Sequence, residues 1–314
     1  MLVSVIVCAY DIGRYDDFIE AIESLFDQDF RNVEIIAVVD GNKEFYEKII
    51  KYKELNQLKM KVLLNKKNLG LSESRNRGIA VATGDVLAFF DDDAIAEKNW
   101  ISELVRMYDK YDAIAAGGKL FPLWVDGKAD FLPEEFYWMI GATHKGFPEK
   151  VTEVRNTFGS NISFKKEVLD EFEGFKGDMG IKGKGALQAE ETEICERMKK
   201  LFGKGVMYNP HAIVHHKIFK SRTRLKFLLR RAFWQGYSKK MMANMGYSMD
   251  VESDFLKRLI NPGIYGRVKA VRSMGLGPLI QIFFLILFTF VVSLGYAFKS
   301  IELFSSSLTG AKQA

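Results

Sequence analysis

Four short apolar runs, separated by stretches with helical spacing, restrict this chain more than any other feature. They lie at residues 3–9 (VSVIVCA), 33–39 (VEIIAVV), 61–64 (KVLL) and 86–90 (VLAFF). Runs this short suit strands buried on both faces of a sheet. Between them, residues 18–26, 45–55 and 72–81 space their apolar side chains as helices do. Strands alternating with helices predict an α/β domain whose mainly parallel sheet is flanked by helices. In such sheets ligands gather beyond the carboxyl ends of the strands. Three of the four runs end in polar residues there: Ala9-Tyr10, Asp40, and Asp91-Asp92-Asp93.

The three consecutive acids are the sharpest local signal. Strand alternation would put Asp91 and Asp93 on one side and Asp92 on the other. Carboxylates this close repel one another and resist desolvation, and a divalent cation with oxygen ligands relieves both costs. The plainer reading is a solvated turn before a helix starting near Glu97. Asp40 could open a turn with Gly41 or accept a hydrogen bond from a base or sugar. In NLGLSESRN, Ser72 is a candidate N-cap, and Arg75 is either a solvated charge or a phosphate clamp. Arg155 could meet an anionic substrate group or Glu153. Residues 187–201 read as a helix with Glu190 and Glu191 near its start. Acids there complement the helix dipole, or one of the two points into the site as a general base. His215 and His216 end a strand-like run and should face opposite sides, as packing residues or as metal ligands. Neither GxGxxG after the first strand nor GxxxxGK[ST] occurs, which argues against dinucleotide and P-loop sites. Gly177, Gly180, Gly183 and Gly185 mark a polar loop, either simply flexible or closing over a substrate.

Composition matters mainly for where the chain works. With 48% hydrophobic and 13% aromatic residues in 314, a substantial core is expected and global disorder is excluded. Two distant cysteines give neither a disulfide framework nor a zinc spacing, as expected of a reducing compartment. The opening apolar run is too short, and lacks the basic lead, for a secretory signal. Residues 276–298 hold no charge and are long enough for the roughly 20-residue span of a bilayer. Arg267, Lys269 and Arg272 precede them and only Lys299 and Lys312 follow, so residues 1 to about 275 are expected in the cytoplasm by the positive-inside bias. Net charge is +5, but residues 217–240 hold nine Lys or Arg and no acid, interleaved with Phe, Leu and Trp. Beside a membrane span, that stretch fits the bilayer surface better than nucleic acid, and no nucleic-acid partner is expected. The expected layout is a catalytic domain over 1–220, a basic amphipathic region over 221–275, a transmembrane helix over 276–298 and a short tail over 299–314.

In order, VSVIVCAYD, VVDG, NLGLSESRNRGI, ATGDVLAFFDDDA and AEETEI resemble the inverting glycosyltransferase family 2 over about residues 1–220. The resemblance implies the GT-A fold, a nucleoside-diphosphate sugar (a UDP-sugar foremost) and a divalent cation, Mg or Mn. It implies nucleotide-sugar contacts at Ala9, Tyr10, Asp40, Arg75, Asp91 and Asp92. It makes Asp93 a metal ligand, with Asp91 beside it, and Glu191 the catalytic base. Glu stands there where the family's Glu-Asp pair has Asp, so Glu190 remains open as the base. A narrower resemblance runs through GGKLFPLWVDGKADFLPEEFYWMIGATHKGFPE, VRNTFGSNISF and RAFWQGYSK, to the archaeal glucosyl-dolichyl-phosphate glucuronosyltransferases of protein N-glycan assembly. It implies a lipid-linked sugar acceptor, glucuronic acid as the sugar, and His216 as a metal or diphosphate contact.

The expected function is therefore metal-dependent, inverting sugar transfer to a dolichyl- or polyprenyl-phosphate-linked sugar by an enzyme held at the cell membrane. One alternative transfers the sugar straight to the lipid phosphate. Another is a non-catalytic membrane protein that binds nucleotide sugars. An aspartyl phosphotransferase is disfavoured, because Ile95 stands where that chemistry wants Thr or Val.

Overall fold

The computed structural model describes residues 1–172, 174–177, 181–182, 185–186, 190–274 and 276–310. Gly180, Gly183 and residues 187–189, at the expected helix start, lie outside the described residues. The chain divides into two compact units. The first holds Met1–Leu123, Pro148–Lys182 and Glu190–Lys217; the second gathers Trp124–Phe147, Gly183–Ala189 and the chain from Ile218 on.

In the first unit, β1 (Val3–Ala9), α1 (Tyr15–Phe26), β2 (Val33–Asp40), α2 (Lys43–Leu55), β3 (Met60–Asn65), α3 (Leu71–Val81) and β4 (Val86–Asp91) follow the expected alternation. Then come β5 (Ala94–Ala96), α4 (Trp100–Tyr111), β6 (Ala115–Trp124), β7 (Thr152–Val154), β8 (Ile162–Lys165), α5 (Lys166–Asp170), the two-residue β9 (Ile181–Lys182), α6 (Glu190–Phe202) and β11 (Val206–Ile218), while the two-residue β10 (Gly185–Ala186) is assigned to the second unit. The main sheet runs β3-β2-β1-β4-β8-β6-β11-β5, with β7 on β11. β3, β2, β1 and β4 pair in parallel, whereas β8 lies antiparallel to both β4 and β6, and β5 antiparallel to β11. The sheet is thus mixed, and its parallel half is the part with helical crossovers.

Each helix buries one stripe. In α1, Phe18, Ala21, Ile22 and Leu25 recur at helical spacing and are all buried. Helix α3 comes close to the sheet because Gly78 has no Cβ; one built there would lie 2.5 Å from Ile6 Cγ2. Buried Asn161 knits several elements together. It accepts from Trp100 Nε1 at 2.9 Å and donates to the carbonyls of Lys119 and Ala212 at 3.1 and 2.9 Å. Such a fully satisfied amide fixes the loop before β8.

The second unit has its own apolar core, in which Leu132, and Phe136 of the 3-10 helix that follows it (Glu134–Ile140), cluster with Leu228, Ala232, Leu285 and Phe288. Its helices are α7 (Lys220–Thr223), α8 (Leu225–Asn244), α9 (Asp250–Arg258), α10 (Tyr265–Met274) and α11 (Gly277–Gly310). Arg267 clamps Glu135 through two hydrogen bonds of 2.8 and 2.7 Å. Most of the basic stretch lies in the two helices α7 and α8, and α8 packs along α11, with glycines on both sides of the contact. A Cβ at Gly236 would strike the Val292 carbonyl, and one at Gly295 the Phe233 carbonyl. Residues Gly277–Ser305 are long and apolar enough to cross a membrane, with mean hydropathy 2.3.

Candidate active site

The carboxyl ends of β1, β2 and β4 carry the candidate residues, as the strand endings predicted. Strand β4 stops at Asp91, and Asp92 and Asp93 form a turn before β5. It is this turn, rather than alternation along one strand, that carries Asp93 back towards Asp91. The β5–β11 ladder supplies the next member: His216 stands opposite Ala94, and Lys217 N–H donates to the Asp93 carbonyl at 2.9 Å. Ligand atoms of Asp91, Asp93 and His216 all lie within 4.8 Å of one another.

His216 Nε2 is 3.1 Å from Asp93 Oδ1, yet neither ring nitrogen makes a well-directed hydrogen bond, although the side chain is only 2% exposed. A buried imidazole without aligned partners, beside two carboxylates, fits a divalent cation. His215 faces the other way, 3.1 Å from Glu97 and stacked on Phe121.

Arg75 is the hub. The expectation of a surface charge fails, since its side chain is 3% exposed. One guanidinium nitrogen lies 3.6 Å from Asp91 Oδ1; another lies 3.3 Å from Glu190 Oε1 and 3.1 Å from Glu191 Oε1. Phe89 and Phe175 enclose it, with ring centroids 5.7 and 5.3 Å away. The expectation is that one of the two adjacent glutamates points into the site, but both reach this one guanidinium from the helix's first turn. They differ in surroundings. Glu190 is 7% exposed and accepts from Ser72 Oγ at 3.1 Å, whereas Glu191 is 22% exposed. Burial, then the charge of Glu191, pushes the Glu190 carboxyl up to about 7 against the pull of Arg75. Burial also raises Asp91; Arg75 opposes this and Asp93 adds to it.

Ser72 is not the cap of α3. Gly70 occupies that position at φ +93°, a left-handed conformation that glycine tolerates. Asp40 fixes this turn, accepting from Leu69 N–H and Asn65 Nδ2 on one oxygen at 2.8 and 2.7 Å, and from Gly70 N–H on the other at 2.8 Å. Its carboxylate thereby sets where α3 begins, and so where Arg75 projects. Ala9, at the end of β1, is buried, while Tyr10 beside it is 61% exposed. Asp92 is partly buried in the turn. Arg155 lies 3.9 Å from Glu196, while Glu153 faces Lys199 at 3.5 Å.

Two residues outside the candidate set also belong here. Arg14, in a one-turn 3-10 helix after β1, contacts Asp93 Oδ2 directly. A Cβ on Gly159 would lie 2.2 Å from Glu191 Oε1 and 2.4 Å from Arg75 Nη2. Arg14 could have been found from its place just beyond the carboxyl end of the first strand; Gly159 carries no signal beyond its motif, RNTFGSN.

The family model described as Glycosyl transferase family 2 matches residues 4–172. The chain belongs to glycosyltransferase family 2. It is 41% identical over 302 residues to a glucosyl-dolichyl phosphate glucuronosyltransferase of Haloferax volcanii, covering 95% of this chain and 96% of that one. Its GT-A fold is shared with a mannosyltransferase from Pyrobaculum calidifontis solved with GDP-Man and Mn2+ (TM-score 0.59, 15% identity, 93% of this chain and 83% of that one). It is shared also with S. aureus TarS 1–349 solved with UDP-GlcNAc (TM-score 0.54, 16% identity, 93% and 82%). This family 2 enzyme transfers a sugar from a nucleotide sugar.

Proposed function

We propose that the enzyme passes glucuronic acid from a nucleoside-diphosphate sugar, UDP-linked, to a sugar carried on dolichyl or polyprenyl phosphate, with inversion, in protein N-glycan assembly. The observation that carries the reaction type is Arg75, which joins the Glu190–Glu191 pair to the Asp91, Asp93 and His216 group. The support for substrate class is the similarity to the Haloferax volcanii protein along nearly the whole chain.

Asp93, Asp91 and His216 would hold the divalent cation, Mg or Mn, and its chemistry there is charge neutralisation of the departing diphosphate. Glu191, the more exposed glutamate, takes the proton from the attacking hydroxyl as the new bond to the sugar forms and the bond to the diphosphate breaks. Glu190, held by Ser72 and Arg75, fixes the pair. Arg75 keeps the base and the leaving-group end in register. Asp40 holds the Leu69–Gly70 turn, Ala9 and Tyr10 border the nucleotide, and Asp91 and Asp92 face its phosphates. The decisive experiment supplies candidate nucleotide sugars with membrane extract and Mn2+ and weighs the lipid-linked product. A hexuronic-acid increment is expected; any other increment overturns the sugar assignment and leaves the transfer standing.

The enzyme works at the membrane through α11, as a single pass over residues 276–298 with the catalytic domain cytoplasmic. One observation favours a second mode, with α11 lying in the plane of the interface. Helix α8 packs on α11 and carries Arg230, Arg231, Lys239 and Lys240. Charged residues cost roughly 2.5–3.5 kcal/mol each at the centre of a bilayer. In the plane, Phe283, Ile286, Phe290, Leu294, Ile301 and Phe304, all exposed, would meet lipid while the basic residues stay wet. A single-pass protein stays in the membrane at pH 11, whereas an in-plane one is extracted.

A further inference from the structure

Asp93 already has a cation. Its carboxylate is 2% exposed and lies between two side chains: His216 Nε2 is 3.1 Å from Oδ1, and the Arg14 guanidinium contacts Oδ2. Arg14 is held there by local chain geometry. Its 3-10 turn follows directly on β1, and Asp11 caps that turn by accepting from Gly13 N–H at 2.9 Å. The side chain is 27% exposed, so the guanidinium enters the site from solvent rather than from the core. Asp92 is close enough to add to the field that holds it charged.

We propose that Arg14 is a resident counter-ion for Asp93 that gives up this carboxylate to the divalent cation and then binds the donor's diphosphate. This rests on the reading of Asp91, Asp93 and His216 as the cation site. The physics is an exchange of charges. Two positive groups against one Asp93 carboxylate repel each other, so Arg14 opposes metal binding to the free enzyme and its departure favours it. A donor diphosphate brings new anionic oxygens, and a guanidinium matches these in a two-pronged geometry. Cation and nucleotide then enter as a linked pair: each removes the competitor of the other, and by linkage the two couplings are equal. Arg75 cannot serve in this way, because it is enclosed by Phe89 and Phe175 and engaged by both glutamates. Arg14 is thus a positioning and donor-binding residue, distinct from the base.

The test measures Mn2+ binding by electron paramagnetic resonance of the free ion, with and without UDP, in the wild-type enzyme and in Arg14→Gln and Arg14→Lys. For Arg14→Gln without UDP, affinity for Mn2+ should tighten at least about tenfold, within the range usual for coupled sites. UDP affinity measured at saturating Mn2+ should weaken, and the mutual enhancement of the two ligands should shrink. Arg14→Lys, which keeps a compact charge, should bind Mn2+ as weakly as wild type while gripping UDP less well. Because Arg14→Gln leaves a buried acid without its counter-ion, its melting temperature should drop in EDTA, and Mn2+ should restore it by more than it raises wild type. Equal or weaker Mn2+ affinity in Arg14→Gln overturns the proposal. Absence of Mn2+ binding in all forms, with UDP present, overturns the cation site itself and the proposal with it. Loss of binding in Asp93→Asn alone separates the two outcomes.

Discussion

Gly159→Ala tests whether the Arg75–Glu191 contact is the working arrangement. The added methyl carbon would lie 2.2 Å from Glu191 Oε1 and 2.4 Å from Arg75 Nη2, against ordinary contacts of 3.4–4 Å. One side must therefore move by about 1 Å. The loop is poorly placed to yield: Thr157 Oγ1 donates to the Asn161 carbonyl at 2.9 Å, and Asn161 is bonded to Trp100 and to two carbonyls. The side chains must shift instead, and Glu191 carries the proposed base. Displacing a catalytic group by that distance costs on the order of 100-fold in rate. Gly159 is not in the left-handed region, so alanine brings no backbone strain, and the overpacking penalty should be about 1–3 kcal/mol. Steady-state transfer to the lipid acceptor, with thermal unfolding alongside, reads both effects. The expected result is a large fall in kcat with the fold retained. A folded Gly159→Ala enzyme that keeps kcat within about threefold, far less than such a displacement costs, would falsify the assignment.

Glu191→Gln should lower kcat by about 100- to 10,000-fold, the usual worth of a general base, with donor KM little changed; unchanged turnover would instead point to direct transfer onto a lipid phosphate. His216→Ala should weaken Mn2+ binding by at least the tenfold typical of losing even an outer partner of a metal ligand, measured by titration calorimetry. Glu190 titrates at about 7 when folded against 4.5 unfolded, so the fold binds its proton more tightly. Its stabilising contribution is complete below pH 4.5 and lost as pH rises through about 7. In EDTA, wild type should therefore lose melting temperature relative to Glu190→Gln between pH 5 and pH 8, and parallel curves would contradict this.

The parallel half of the sheet was legible because each strand is short, apolar and ends at a polar residue, a pattern with few other solutions. The rest of the sheet was not. Strands β6, β8 and β11 are joined by long connections and pair with partners distant in sequence, and local periodicity holds no trace of such pairings. The same limit separates the site residues. Asp91, Asp93, Glu190 and Glu191 stand out because adjacent acids are costly without a purpose. Ser72 looked like a cap because helix starts favour serine, but Gly70 and the carboxylate of Asp40 already define that start, which frees the hydroxyl for Glu190.

Arg75 shows why such a residue cannot be weighed alone. An arginine near a helix start is unremarkable on a surface, and two of the acids that offset its burial lie more than 100 residues away in the chain. Removing Arg75 would leave Glu190, Glu191 and Asp91 crowded without their shared counter-charge, a repulsion that grows as dielectric falls. Removing the acids would leave a buried guanidinium between two phenyl rings. Neither half is stable without the other, so the site assembles only when α6 docks beside α3. The fold thereby ties the proposed base to the acids of the proposed cation site. The arrangement is therefore set by folding, before any donor is bound, which is the preorganisation that a positioned base requires.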